Sequence, residues 1–126
     1  MYETLVIAGG VACLAVAIYH LMFWRILQWK TALASLDVSN RNVMQIFNVC
    51  LILVFIAFGY LAIFHVDELV ATRLGNHLLI AIGLFWLARG MQEIYFFGLR
   101  RPRSRVNLAL CVVLFGLFVI PGAGSL

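Results

Sequence analysis

Charge is what this chain has least of. Of 126 residues 11% are charged, only five of them acids, while 65% are hydrophobic. With a mean hydropathy of +1.07, the chain cannot be an ordinary water-soluble domain, which carries about a quarter charged residues. Nothing outside the apolar runs is long enough to form a separate soluble domain. Cysteine is sparse too: Cys13, Cys50 and Cys111 share no CxxC or metal-like spacing, and they read as small packing residues. There is no HExxH, no nucleophile elbow, and no serine or cysteine set beside a histidine for covalent catalysis. The loop acids and histidines, His65, Asp67, Glu68 and His77, match no spacing of known metal geometry, so no metal site is assigned. Positive charge is also missing ahead of the first apolar run, where Glu3 stands alone, so that run reads as a span and not as a cleaved leader.

What is present is four apolar runs. A bilayer core about 30 Å thick requires roughly 20 apolar residues per helix, and runs at about 4–27, 43–64, 77–97 and 106–121 fit that requirement with short polar breaks between them. The expected fold is an all-α integral membrane protein, a single domain of four transmembrane helices in an antiparallel up-down bundle. Its immediate partner is the lipid bilayer.

The few cations are unevenly placed. The first loop and its flank hold Arg25, Lys30 and Arg41, the third holds Arg100, Arg101, Arg103 and Arg105, and the second holds Arg73 alone. Seven against one is a strong positive-inside bias. It puts the first and third loops in the cytoplasm, both termini on the outer face, and the chain in the plasma membrane. The arginine-rich turn around Pro102 suits anionic lipid headgroups at Arg100, Arg101, Arg103 and Arg105. A nucleic-acid partner is excluded, because no scaffold extends beyond the turn.

Polar groups at membrane depth are costly and mark a partner or a task. In the third run Arg89, Gln92 and Glu93 fall on one helical face with Trp86. In the second, Asn42, Gln45 and Asn48 recur every three residues, as interhelical glue or as the lining of a site. In the first, His20 lies about 10 Å inside Leu27, deeper than interfacial anchoring requires, with Trp24 nearby. The orientation puts all of these in the cytoplasmic half, leaving the outer half almost wholly apolar apart from Tyr60. The candidate ligand-binding residues are therefore His20, Trp24, Asn42, Gln45, Asn48, Trp86, Arg89, Gln92 and Glu93.

Three functions fit this pattern. The first is binding or transport of a polar or anionic amphipathic ligand, or a lipid, in a pocket open to the cytoplasmic leaflet. The second is a membrane-embedded enzyme acting on a lipid or quinone, with His20 and Glu93 as an acid-base pair joined by a hydrogen bond. The third is a ligand-free accessory subunit, favoured if the small-residue stripe Gly9, Cys13 and Ala17 is left open for a partner helix. A bundle this small has little interior to spare, so a homo-oligomer or a membrane-protein partner is expected under each. No cofactor is named by any motif.

Overall fold

Each apolar run becomes a helix because lipid offers its backbone no hydrogen-bond partner, and only intrahelical bonds satisfy every N–H and C=O. The computed structural model describes residues 1–126 and contains no strand. Its elements are α1 (Tyr2–Leu21), α2 (Phe23–Ile26), α3 (Trp29–Ala32), a 3₁₀ turn (Leu33–Ser35), α4 (Val38–Phe64), α5 (Val66–Ala71), α6 (Arg73–Phe97) and α7 (Pro102–Gly124). The four long helices, α1, α4, α6 and α7, are each long and apolar enough to cross a membrane. The least apolar is α6, which carries Asn76, His77, Arg89, Gln92 and Glu93. Outward-facing positions are large and apolar, including Phe47, Leu53 and Phe64 on α4 and Leu74 and Phe96 on α6. In water such a surface would aggregate, whereas lipid solvates it.

The first helix ends at Leu21, short of the expected Leu27. Met22 closes it with bonds to the Ile18 and Tyr19 carbonyls, and Gln28 then takes a left-handed conformation with φ 51°. The intervening segment folds back with Trp29 and Leu33 buried and Trp24, Arg25 and Lys30 exposed, the division expected of a stretch lying along an interface. Arg41 holds it there, donating from Nε to the Leu33 carbonyl at 3.2 Å and from Nη2 to the Leu36 carbonyl at 3.1 Å. Helix α4 starts at Val38, with Asp37 as its N-cap residue and Asn40 donating to the Asp37 carboxylate; Ser39, Asn40 and Asn42 are thereby inside the helix. The second loop is mostly the short helix α5, and Thr72 caps α6 by accepting from the Gly75 N–H at 2.9 Å. At the other end of the chain, α7 passes through Pro121 to Gly124. A proline this close to a helix end removes only one late hydrogen bond.

Small residues set the packing. Gly10 of α1 lies against Gly59 and Ala62 of α4, where an added Cβ would come within 2.7 Å of the Ala62 Cβ. Gly9, one position earlier, meets the Phe118 ring of α7. Gly9, Cys13 and Ala17 are all buried, so the stripe of small residues is occupied inside the bundle itself. The two chain ends meet as well, with Gly124 against the Tyr2 hydroxyl. Along α6 and α7 the close approaches run in opposite senses, Gly122 against Asn76, Gly83 against Val119, and Gly90 against Cys111. Helices α4 and α6 meet through rings: Phe55 stacks on Trp86 at 5.2 Å and Phe58 meets Phe85 edge-on at 5.6 Å.

Candidate functional site

Helices α1 and α7 pack closely near the chain ends, at Gly9 with Phe118 and at Tyr2 with Gly124. Toward the basic α6–α7 turn, a cavity of about 780 Å³ lies between them. Ligand sites in proteins run from about 300 to 1,000 Å³, so this one has room for a sizeable small molecule. One wall is α1, with Ala12, Ala15, Val16, Tyr19 and His20, and the facing wall is α7, with Val106, Asn107, Leu110 and Cys111. Helix α6 forms the back through Trp86, Arg89 and Glu93, and Phe55 of α4 closes one side. Ala15, Tyr19, Val106 and Leu110 are exposed, so the opening faces sideways between α1 and α7, where lipid would lie. Arg101 and Arg103, both exposed, stand at the end of the cavity nearest the basic turn.

The back wall is polar for a reason legible in the helix repeat. Arg89 and Glu93 are one turn apart, and Arg89 Nη1 lies 2.9 Å from Glu93 Oε2. Glu93 is 1% exposed, whereas the Arg89 side chain is 38% exposed. The distance is that of an ion pair, but the approach is off the hydrogen-bonding direction, and Oε2 is left without a hydrogen bond. Asn107 of α7 donates from Nδ2 to Glu93 Oε1 at 3.4 Å, a long contact and the cross-helix tie to this carboxylate. A carboxylate this deep would be very costly alone; the guanidinium beside it makes the burial tolerable. Arg89 has five N–H donors in a planar fork, and the exposed part of that fork faces the cavity.

His20 sits on the opposite wall. Its Nδ1 is 2.9 Å from the Val16 carbonyl of its own helix. A carbonyl can only accept, so Nδ1 carries the proton and Nε2 presents a lone pair. Aromatic rings surround the imidazole, Phe23 at 4.4 Å and Phe55 at 5.0 Å between centroids. No hydrogen bond joins His20 to Glu93.

Of the nine residues expected at the site, four line the cavity: His20, Trp86, Arg89 and Glu93. Asn48 lies beside it, donating to the His20 main-chain carbonyl at 3.1 Å and so tying α4 to α1 at the level of the site. The other four are elsewhere. Trp24 is exposed on the interfacial segment, edge-on to Trp29 at 6.2 Å. Asn42 is exposed, and Gln45 donates to the Arg41 carbonyl of its own helix at 3.3 Å. Gln92 is exposed and outside the cavity, about 100° around α6 from Glu93. Of the amide stripe of α4, only Asn48 is therefore turned toward the site. A period of three residues drifts around a helix of 3.6 per turn, so three amides so spaced do not share one face.

Residues that pattern reasoning did not place in the site are Phe23, Phe55, Arg101, Arg103 and Asn107. Asn107 carried a signal, being the one amide in α7, set in the apolar run that follows the basic turn. Phe23 and Phe55 carried none, since phenylalanine in such a run is ordinary core or lipid-facing material. No family model, curated protein or solved structure matches this chain.

Proposed function

We propose that this protein holds an anionic amphipath, a lipid or a lipid-like metabolite, in the sideways-opening cavity between α1 and α7, and binds or carries it from the cytoplasmic leaflet. In this reading the basic turn is cytoplasmic, both termini are outside, and the membrane is the plasma membrane. The observation that carries it is the division of the cavity: mostly apolar walls on α1 and α7, half-buried Arg89 paired with buried Glu93 at the back, and two arginines at the end nearest the basic turn. Glu93 offsets the charge of Arg89, so the net positive charge of the lining comes from Arg101 and Arg103. An anionic head resting there would keep its charge near water while its chain lies in the slot.

The missing hydrogen bond between His20 and Glu93 gives an acid-base enzyme no assembled pair, and the small-residue stripe is already filled by the bundle's own helices. Both points favour binding over the other two functions.

The test is native mass spectrometry of the gently solubilised protein, comparing wild type with Ala15→Phe. Ala15 is exposed at the cavity mouth, so the larger ring fills the slot from outside without entering the core. A co-purifying anionic species present in wild type and lost in the variant is expected. An equal complement of bound lipid in both would reject the cavity as the binding place.

A further inference from the structure

The deep end of the cavity is chemically unlike its rim. At the rim stand two uncompensated cations, Arg101 and Arg103. Deeper in, Arg89 is balanced by Glu93, so a second anion placed there would meet no net positive charge and would lie close to a carboxylate. What the deep end offers instead is a neutral acceptor on α1 facing several free donors on α6. The acceptor is His20 Nε2, because the Val16 carbonyl holds the proton on Nδ1. The donors are the guanidinium N–H groups of Arg89 that do not face Glu93. His20 and Arg89 face the same space from α1 and α6, with Phe55 and Trp86 beside them.

We propose that the ligand carries a neutral hydroxyl, alcohol or phenol, deeper than its anionic group, with its O–H donating to His20 Nε2 and its oxygen accepting from Arg89. A hydroxyl suits this pair because one oxygen both donates and accepts. A ketone or ester carbonyl would satisfy Arg89 and leave the imidazole lone pair unmet in apolar surroundings, which costs free energy. A second phosphate or carboxylate would meet Glu93. The inference rests on the anionic-amphipath reading above and narrows its ligand to hydroxyl-bearing members.

The experiment uses the full chain in detergent and two single-chain phosphate amphipaths of equal chain length, lysophosphatidic acid with its free hydroxyl and the same molecule with that hydroxyl methylated. Affinities are measured by titration in native mass spectrometry. Wild type is expected to bind the hydroxyl form about tenfold more tightly, the worth of one hydrogen bond left unmade at a desolvated acceptor. His20→Phe should remove that preference while retaining binding, and Arg101→Ser with Arg103→Ser should weaken both forms by the same factor. Equal affinity of the two forms in wild type, or a preference that survives His20→Phe, overturns the hydroxyl assignment while leaving the rim reading standing. If neither form binds wild type, the anionic-amphipath reading itself fails, and the hydroxyl with it. The wild-type comparison holds even if His20→Phe does not fold.

Discussion

Removing the Arg89 side chain's charge, as in Arg89→Met, leaves Glu93 at 1% exposure with only a 3.4 Å contact from Asn107. Breaking a buried ion pair from one side costs about 3 to 5 kcal/mol. Arg89 is 38% exposed, so solvent screens part of its attraction. A loss of about 2 to 3 kcal/mol follows for Arg89→Met. Glu93→Gln leaves an arginine able to reach toward the interface and should cost less, about 1 to 2 kcal/mol. The double variant has no charge to strand and keeps an amide for Asn107 to meet, so it should lie only about 1 kcal/mol below wild type. The singles would sum to between about 3 and 5 kcal/mol, so the cycle predicts a coupling of about 2 kcal/mol or more. The assay is reversible unfolding in mixed micelles titrated with a denaturing detergent, followed by circular dichroism. A double variant whose loss equals the sum of the singles would refute the idea that Arg89 chiefly compensates a buried carboxylate.

Three other outcomes follow from packing and placement. Gly10→Ala drives a methyl to within 2.7 Å of the Ala62 Cβ and should destabilise by about 1 to 3 kcal/mol, while Gly116→Ala, whose nearest side-chain atom would be 3.8 Å away, should be neutral or slightly stabilising in the same unfolding assay. Asn76→Ala removes both bonds that tie α6 to the carbonyls of Leu69 and Val70, at 3.0 and 2.9 Å, and should cost about 2 kcal/mol; hydrogen exchange of α5 should speed up more than that of α7. In a background with all three native cysteines replaced, a cysteine at Ser125 should react with a membrane-impermeant maleimide on intact cells, and one at Arg103 only after permeabilisation. Labelling in the reverse pattern would invert the orientation.

The four helices were legible in the sequence because the bilayer imposes both length and composition, and 20-residue apolar runs have no other stable home in water or lipid. Their ends were less legible. Helix α1 stops at Leu21 because of a local turn at Met22, and α4 begins at Val38, with Asp37 as its N-cap residue, ahead of the amides that are themselves good caps. The site was half legible, and the division has a physical cause. Arg89 and Glu93 one turn apart announce a pair on one face, and Trp86 shares that face. Which face of α4 meets the others depends on where Gly59 seats against Gly10, a rotation that hydropathy does not encode. That rotation turns Asn42 and Gln45 outward and brings in Phe55. The arginines of the basic turn stood out in the sequence only as charges bearing on sidedness; that they line one end of the cavity depends on how the turn closes after Gly98, with φ 71°.

The most direct measurement of ligand entry between α1 and α7 is quenching of Trp86 fluorescence by an anionic amphipath brominated along its chain. Trp86 is 2% exposed, so bulk lipid cannot touch its ring, but the ring lines the cavity. With Trp24→Phe and Trp29→Phe it is the only tryptophan left. The predicted result is quenching that saturates at a small fraction of brominated amphipath in the membrane and is lost in Ala15→Phe. Quenching that only rises in proportion to the brominated fraction, or is unchanged by Ala15→Phe, would contradict it.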